Sequence, residues 1–180
     1  DVYGLRFEFN VHSVFYPQTE RLCIMPAFYL EMRVNPVHSQ RWFPVNVNTP
    51  KTAKLFIRVA RSNTNIAATI DEAGQPRIDL SYRNRLTPRT DRGQDIGTEM
   101  AGRDVAVAER IVSLNPNCRL LEEGQGLELD LPVTEVGSGI KWRLVWAAYV
   151  DEPVLYPRID DEERAATFRY CQAWSDLDHV

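Results

Sequence analysis

At 180 residues, 44% hydrophobic and 26% charged, the chain has the composition of a folded protein and enough length for one self-sufficient core, which excludes a disordered chain. A formal net charge of −4 argues against a protein that coats nucleic acid, since such proteins are more often basic. No apolar run approaches the roughly 20 residues that span a bilayer as a helix, so a soluble chain without a membrane span is expected.

Strict alternation of apolar and polar residues is the dominant signal, and it marks half-buried strands. Leu5, Phe7, Phe9 and Val11 face one way and Arg6, Glu8, Asn10 and His12 the other. The phase slips near Ser13, after which Val14 and Tyr16 take the apolar positions, as at a bulge or bend. Phe28, Leu30, Met32 and Val34 alternate next, followed by Leu55, Ile57 and Val59. Asn65–Asp71 and Arg77–Arg83 read as two strands joined by Glu72-Ala73-Gly74-Gln75-Pro76, whose length and composition suit a hairpin loop.

Asn84 to Arg103 reads as a long loop without regular structure, and loops of that length in a compact domain are usually binding or disordered segments. Asp104–Leu114 is ambiguous, because Glu109 interrupts the alternation while Val105, Ala108, Ile111 and Val112 would fit a helical face. Its end, Arg110–Leu114, leans towards a strand closed by a turn at Asn115-Pro116-Asn117. Leu127, Leu129, Leu131 and Val133 form another strand. Ile140, Trp142, Leu144, Trp146, Ala148 and Val150 form the last, and its apolar second side predicts a central position. Trp142 and Trp146 are expected in the core.

The acidic run Asp160-Asp161-Glu162-Glu163 suits a helix start, where the macrodipole favours negative charge. Ala165, Phe168, Cys171 and Trp174 then recur at near-helical spacing. The expected fold is therefore all-β: a two-sheet antiparallel β-sandwich, of jelly-roll or other Greek-key type, with a short C-terminal α-helix. Residues 1–180 read as one domain, with 151–180 as an extension whose helix packs on the sandwich.

Chemistry is sparsely signalled. Cys23, Cys118 and Cys171 are far apart and odd in number, as expected of buried free thiols and not of a disulfide framework or zinc site. No Asn-x-Ser/Thr sequon occurs, which slightly favours a virion or intracellular setting over a secreted one. The chain begins at Asp1 without a methionine, which leaves room for a removed upstream segment. His12-Ser13 and His38-Ser39 read as histidines beside strand ends, and His179 as part of a loose terminus. Asp91, Asp95, Glu99 and Asp104 are too widely spaced, and too interleaved with arginine, for a calcium loop. No phosphate-binding, dinucleotide-binding or nucleophile-elbow motif occurs. No catalytic residue, metal or cofactor is assigned.

Lysine stands only at Lys51, Lys54 and Lys141 among the 21 basic residues, so arginine carries most of the positive charge. Arg83, Arg85, Arg89 and Arg92 form a basic stretch suited to an acidic partner or a phosphate. Asp160, Asp161, Glu162 and Glu163 lie in an acidic stretch that runs from Asp151. The two stretches could meet between copies, within one molecule, or not at all. Arg41, Trp42 and Phe43 form an aromatic-basic loop suited to docking a partner or stacking on sugar. These eleven residues are the candidate partner-binding set. The expected function is a non-catalytic structural or interaction subunit of a larger assembly, such as a capsid or similar particle. Its partners would be other proteins or copies of itself, with nucleic acid ranked behind and no small molecule identifiable. A carbohydrate- or small-ligand-binding sandwich module is the alternative. A hydrolase whose carboxylates converge only on folding ranks third.

Overall fold

In a computed structural model the described residues are 5–13, 16–36, 52–85, 89–91, 94–96, 103–121, 126–132, 140–154, 158–160 and 162–180. Among them the strands are β1 (Leu5–Ser13), β2 (Ala27–Pro36), β3 (Thr52–Arg58), β4 (Thr64–Ile70), β5 (Pro76–Arg85), β6 (Arg89–Asp91) and β7 (Gln94–Ile96). They continue as β8 (Asp104–Ser113), β9 (Cys118–Leu120), β10 (Gly126–Pro132), β11 (Ile140–Tyr149), β12 (Arg158–Ile159) and β13 (Glu162–Glu163). Among the described residues helix is limited to the single turn α1 (Glu20–Cys23) and a 3-10 turn at Arg169–Gln172.

The strands form two antiparallel sheets. The larger has the order β1-β2-β11-β8-β5-β4 and the smaller β3-β10-β9, while β6–β7 and β12–β13 are two-stranded ribbons. As its two-sided apolar character predicted, β11 lies inside the larger sheet, between β2 and β8. The β4–β5 hairpin forms where the sequence placed it. Asp71 Oδ1 accepts from the Gln75 amide at 2.7 Å, and Gly74 adopts a φ of 79°, a conformation open to glycine at no steric cost.

One hydrophobic cluster draws on both sheets. Met32, Val34, Ile78, Leu80, Ile111, Trp142 and Leu144 come from the larger, and Cys118, Leu127 and Leu129 from the smaller. Trp142 is fully buried, and its indole donates to Ser113 Oγ at 3.0 Å, so its one polar atom is satisfied. At Gly126 a side chain would press on the Ile57 carbonyl, so glycine lets β10 run tight against β3.

Four expectations are corrected. The C-terminal segment is not an α-helix. Asp160, with φ of 51°, turns the chain between β12 and β13, and the backbone beyond bonds to the body of the protein through Val154 N–H to Ala166 O at 3.1 Å. An α-helix through this segment would need the Ala166 carbonyl for the Tyr170 amide, and that carbonyl is taken by Val154. Trp174 buries as expected, whereas Phe168 stacks on Tyr170 and stays exposed.

Asp104–Ser113 is a strand throughout. Glu109 does occupy an inward position, and it fits because neighbouring side chains bond its carboxylate. The stretch from Asn84 is not a structureless loop either. β5 runs on to Arg85 and the β6–β7 ribbon follows. Finally, the strand holding Phe7 does not resume beyond a bulge at Ser13. It ends there, Val14 lies outside the described residues, and Tyr16 sits exposed in a turn.

Candidate functional site

The larger sheet turns Ile78, Leu80, Ile111, Trp142 and Leu144 toward the core, so the residues between them form an outer face. On the β4-β5-β8 side of that face the register aligns Asn65 with Ser81, Ser81 with Ala108, and Ala108 with Tyr149. The parallel row is Ala67, Asp79, Arg110 and Ala147. The small side chains Ala67, Ser81, Ala106 and Ala108 leave a trough, and the C-terminal segment Ser175–Asp178 walls it. The resulting groove has a volume of about 790 Å³, within the range of ligand pockets.

Charges sit around this groove. Arg110 Nε donates to Asp79 Oδ1 at 2.6 Å and its Nη1 to Asp178 Oδ1 at 2.5 Å, which ties the C-terminus to the sheet. Burial works against the guanidinium charge, but the two carboxylates outweigh it and raise the Arg110 pKa. Tyr149, at the closed end, donates its hydroxyl to the Trp174 carbonyl at 2.7 Å. Burial first, and the neighbouring Cys171 second, push its pKa up to about 12.

Ser175, Asp176 and His179 also cluster here. Both Ser175 Oγ, at 3.0 Å, and Asp176 Oδ1, at 2.6 Å, address the same ring nitrogen, Nδ1 of His179. A serine–histidine–aspartate relay uses two different ring nitrogens, so this arrangement is a local turn. The His179 hydrogen bond lowers the Asp176 pKa.

On the core face, at the β5-β8-β11 end, the Glu109 carboxylate is 9% exposed. Trp146 Nε1 donates to Oε2 at 2.9 Å, the Tyr82 hydroxyl donates to Oε1, and Arg61 Nη1 lies 3.7 Å from Oε1. Arg61 stacks over the Tyr82 ring at 3.6 Å. Burial, then the hydrogen bond to Glu109, raises the Tyr82 pKa, so the phenol remains a donor. The cluster pins the segment after β3 to the larger sheet.

Of the eleven sequence-predicted residues, Arg83, Arg85, Arg89, Asp160, Glu162 and Glu163 are among the described residues and are spread over β5, the β6–β7 ribbon and the β12–β13 ribbon. Arg83 lines the groove, donates to the Asp104 carbonyl at 3.0 Å and lies 3.7 Å from Glu152. Since Glu152 belongs to the acidic stretch, basic and acidic segments do meet within one molecule at this point. Arg85 stands opposite Asp104 at the end of β5, and Arg89 is on the β6–β7 ribbon. Asp160 is the turn residue of the β12–β13 ribbon, where Glu162 and Glu163 pair with Ile159 and Arg158. Arg41, Trp42, Phe43, Arg92 and Asp161 lie outside the described residues.

Sequence reading missed Asp79, Arg110, Asp178 and Glu31. Glu31 and Arg33, two apart on a strand, share a face by parity alone, so that pair was readable. The others converge only through strand register and the return of the C-terminus. The molecule is thus an all-β protein of two antiparallel sheets whose larger sheet carries a grooved, charged outer face. Comparison with protein-family models, with curated proteins and with solved structures finds no match.

Proposed function

We propose that the protein is a non-catalytic interaction subunit, its two sheets stacked as a sandwich of Greek-key kind, which assembles with copies of itself through the open edge at β1. The stacking is supported by the shared hydrophobic cluster, and the Greek-key kind by a strand order in which β2-β11-β8-β5 are non-consecutive neighbours. The observation that carries the assembly reading is a stripe of exposed apolar side chains. Phe9 is 64% and Val11 67% exposed on the core side of the edge strand β1.

Among the described residues β1 hydrogen-bonds only β2. Its nine residues hold no proline, and unprotected edges of this kind accept a further strand. A second copy laid antiparallel about Phe9 sets Phe9 against Phe9 and Phe7 against Val11. It also sets Glu8 against Asn10, so no like charges stand directly opposite.

Light scattering over a concentration series tests this. Masses above one 20.7 kDa chain are expected, returning to that value in Phe9→Pro, which removes an amide that ladder parity turns away from β2. A monomer at every concentration ends the reading. The groove of about 790 Å³ supports a second reading, a small-ligand-binding module, with Arg83 and Tyr149 among the lining residues.

A further inference from the structure

At the β1-β2-β11 side of the outer face, away from the groove, one buried carboxylate holds three cations. Glu31, 8% exposed, receives Arg33 Nε on Oε1 at 2.6 Å, with Arg33 Nη2 also at 2.6 Å. Its other oxygen, Oε2, lies 3.2 Å from Arg143 Nε and 3.6 Å from Lys141 Nζ. The register explains the crowding. Arg143 stands directly opposite Glu31, and Lys141 directly opposite Arg33. Like charges directly opposite on adjacent strands are destabilising, so Glu31 offsets a repulsion that neutral residues would have avoided. Arg33 first among its partners lowers the Glu31 pKa, and the carboxylate stays ionised.

Positive charge is nonetheless in excess. The charged Asp, Glu, Lys and Arg residues that β1, β2 and β11 place on this face are Arg6, Glu8, Glu31, Arg33, Lys141 and Arg143, four cations to two carboxylates, in a chain whose net charge is −4. Among the described residues the Arg143 side chain bonds through Nε alone, which leaves its terminal N–H groups as a fork for an oxyanion. Beside it opens a cavity of about 310 Å³ lined by His12, Tyr29, Glu31, Leu114 and Arg143. That volume is several times what an inorganic oxyanion fills, and Tyr29 and His12 offer flat rings for the remainder.

We propose that this nook binds a phosphate monoester carrying a planar ring, of the nucleoside monophosphate class. The phosphate sits on Arg143 and Lys141, and the ring sits against Tyr29 and His12, which stand side by side on β2 and β1. Glu31 acts as a positioning residue that gathers the cations. The site shares His12 with β1 but lies on the outer face, whereas the assembly reading rests on Phe9 and Val11 on the other side, so light scattering and calorimetry can fail independently.

Calorimetric titration of the full chain with a nucleoside 5′-monophosphate, the unphosphorylated nucleoside and inorganic phosphate tests it. Saturable binding of the monophosphate is expected, with weaker binding of inorganic phosphate and none of the nucleoside. Arg143→Gln should weaken the monophosphate by about tenfold or more, the scale of one lost charge-assisted hydrogen bond. Lys141→Gln, at a half-exposed position, provides a second variant should the first misfold. Tyr29→Ala should abolish the preference for monophosphate over inorganic phosphate. No saturable binding of either phosphate compound overturns the proposal, as does binding that both charge variants leave unchanged.

Discussion

β1 and β11 carry the same pattern of alternating apolar residues in the same sheet, and their apolar sides face the same way, yet they meet opposite fates. On β11, Leu144 is 1% exposed and Trp142 fully buried beneath the smaller sheet. On β1, Phe9 and Val11 stand in register with Met32 and Leu30, one strand beyond the margin of that core, with their apolar surface largely in water. Alternation therefore reports which face of a sheet is apolar. How far a second layer extends over that face depends on the smaller sheet, whose three strands cannot cover six.

The comparison can be broken by mutation. The largest effect is expected for Leu144→Ala, which should lose about 2–5 kcal/mol of stability by denaturant unfolding, since a buried cavity opens among close-packed neighbours. Val11→Ala should change stability by about 0.5 kcal/mol or less. Equal losses at the two positions would mean that β1 is covered in solution.

Between these extremes lies Glu109→Ala. It strips the acceptor from Tyr82 and Trp146, and each buried donor left unsatisfied costs about 1–3 kcal/mol. Adding Tyr82→Phe should recover part of the loss, which a double-mutant cycle would read directly.

Two pH limbs sharpen the contrast between covered and open faces. Tyr149 lies under the C-terminal segment, and its pKa rises from an ordinary 10.0 to about 12. Its contribution to stability is complete below pH 10 and is lost as pH rises through about 12, because the folded state holds the proton more tightly than the unfolded chain. Tyr149→Phe should flatten that alkaline limb in thermal melts.

Glu31 gives the smaller, acidic counterpart on the open side. Its pKa is lowered from 4.5, by Arg33 foremost. Its contribution is present above pH 4.5 and fades as pH falls through the depressed value. Glu31→Gln should therefore narrow the difference between melts taken at neutral and at strongly acidic pH, and an unchanged difference would mean that the cluster does not form.

The strands were legible wherever side chains alternate without interruption, as in Phe28–Val34, Arg77–Arg83 and Ile140–Val150. Sequence reading failed where a polar residue is buried on purpose. Glu109 hid the first half of β8, because its partners Tyr82 and Trp146 come from two other strands. It also failed at the C-terminus, where the three-residue recurrence of Phe168, Cys171 and Trp174 imitates a helical face. Tyr170 there bonds Val150 on both its amide and its carbonyl, which commits the segment to the sheet. The predicted partner-binding residues were chosen as runs of like charge. Charged clusters among the described residues join residues far apart in sequence, such as Glu31 with Arg143 and Arg110 with Asp178.

What the sequence determined by itself is the all-β character and the apolar side of each strand, because alternation is a local property of an extended backbone with period two. Which apolar sides are covered, which charges meet, and where the C-terminal segment docks were decided by strand order and register. Those depend on contacts between residues distant in the chain, and no local pattern encodes them.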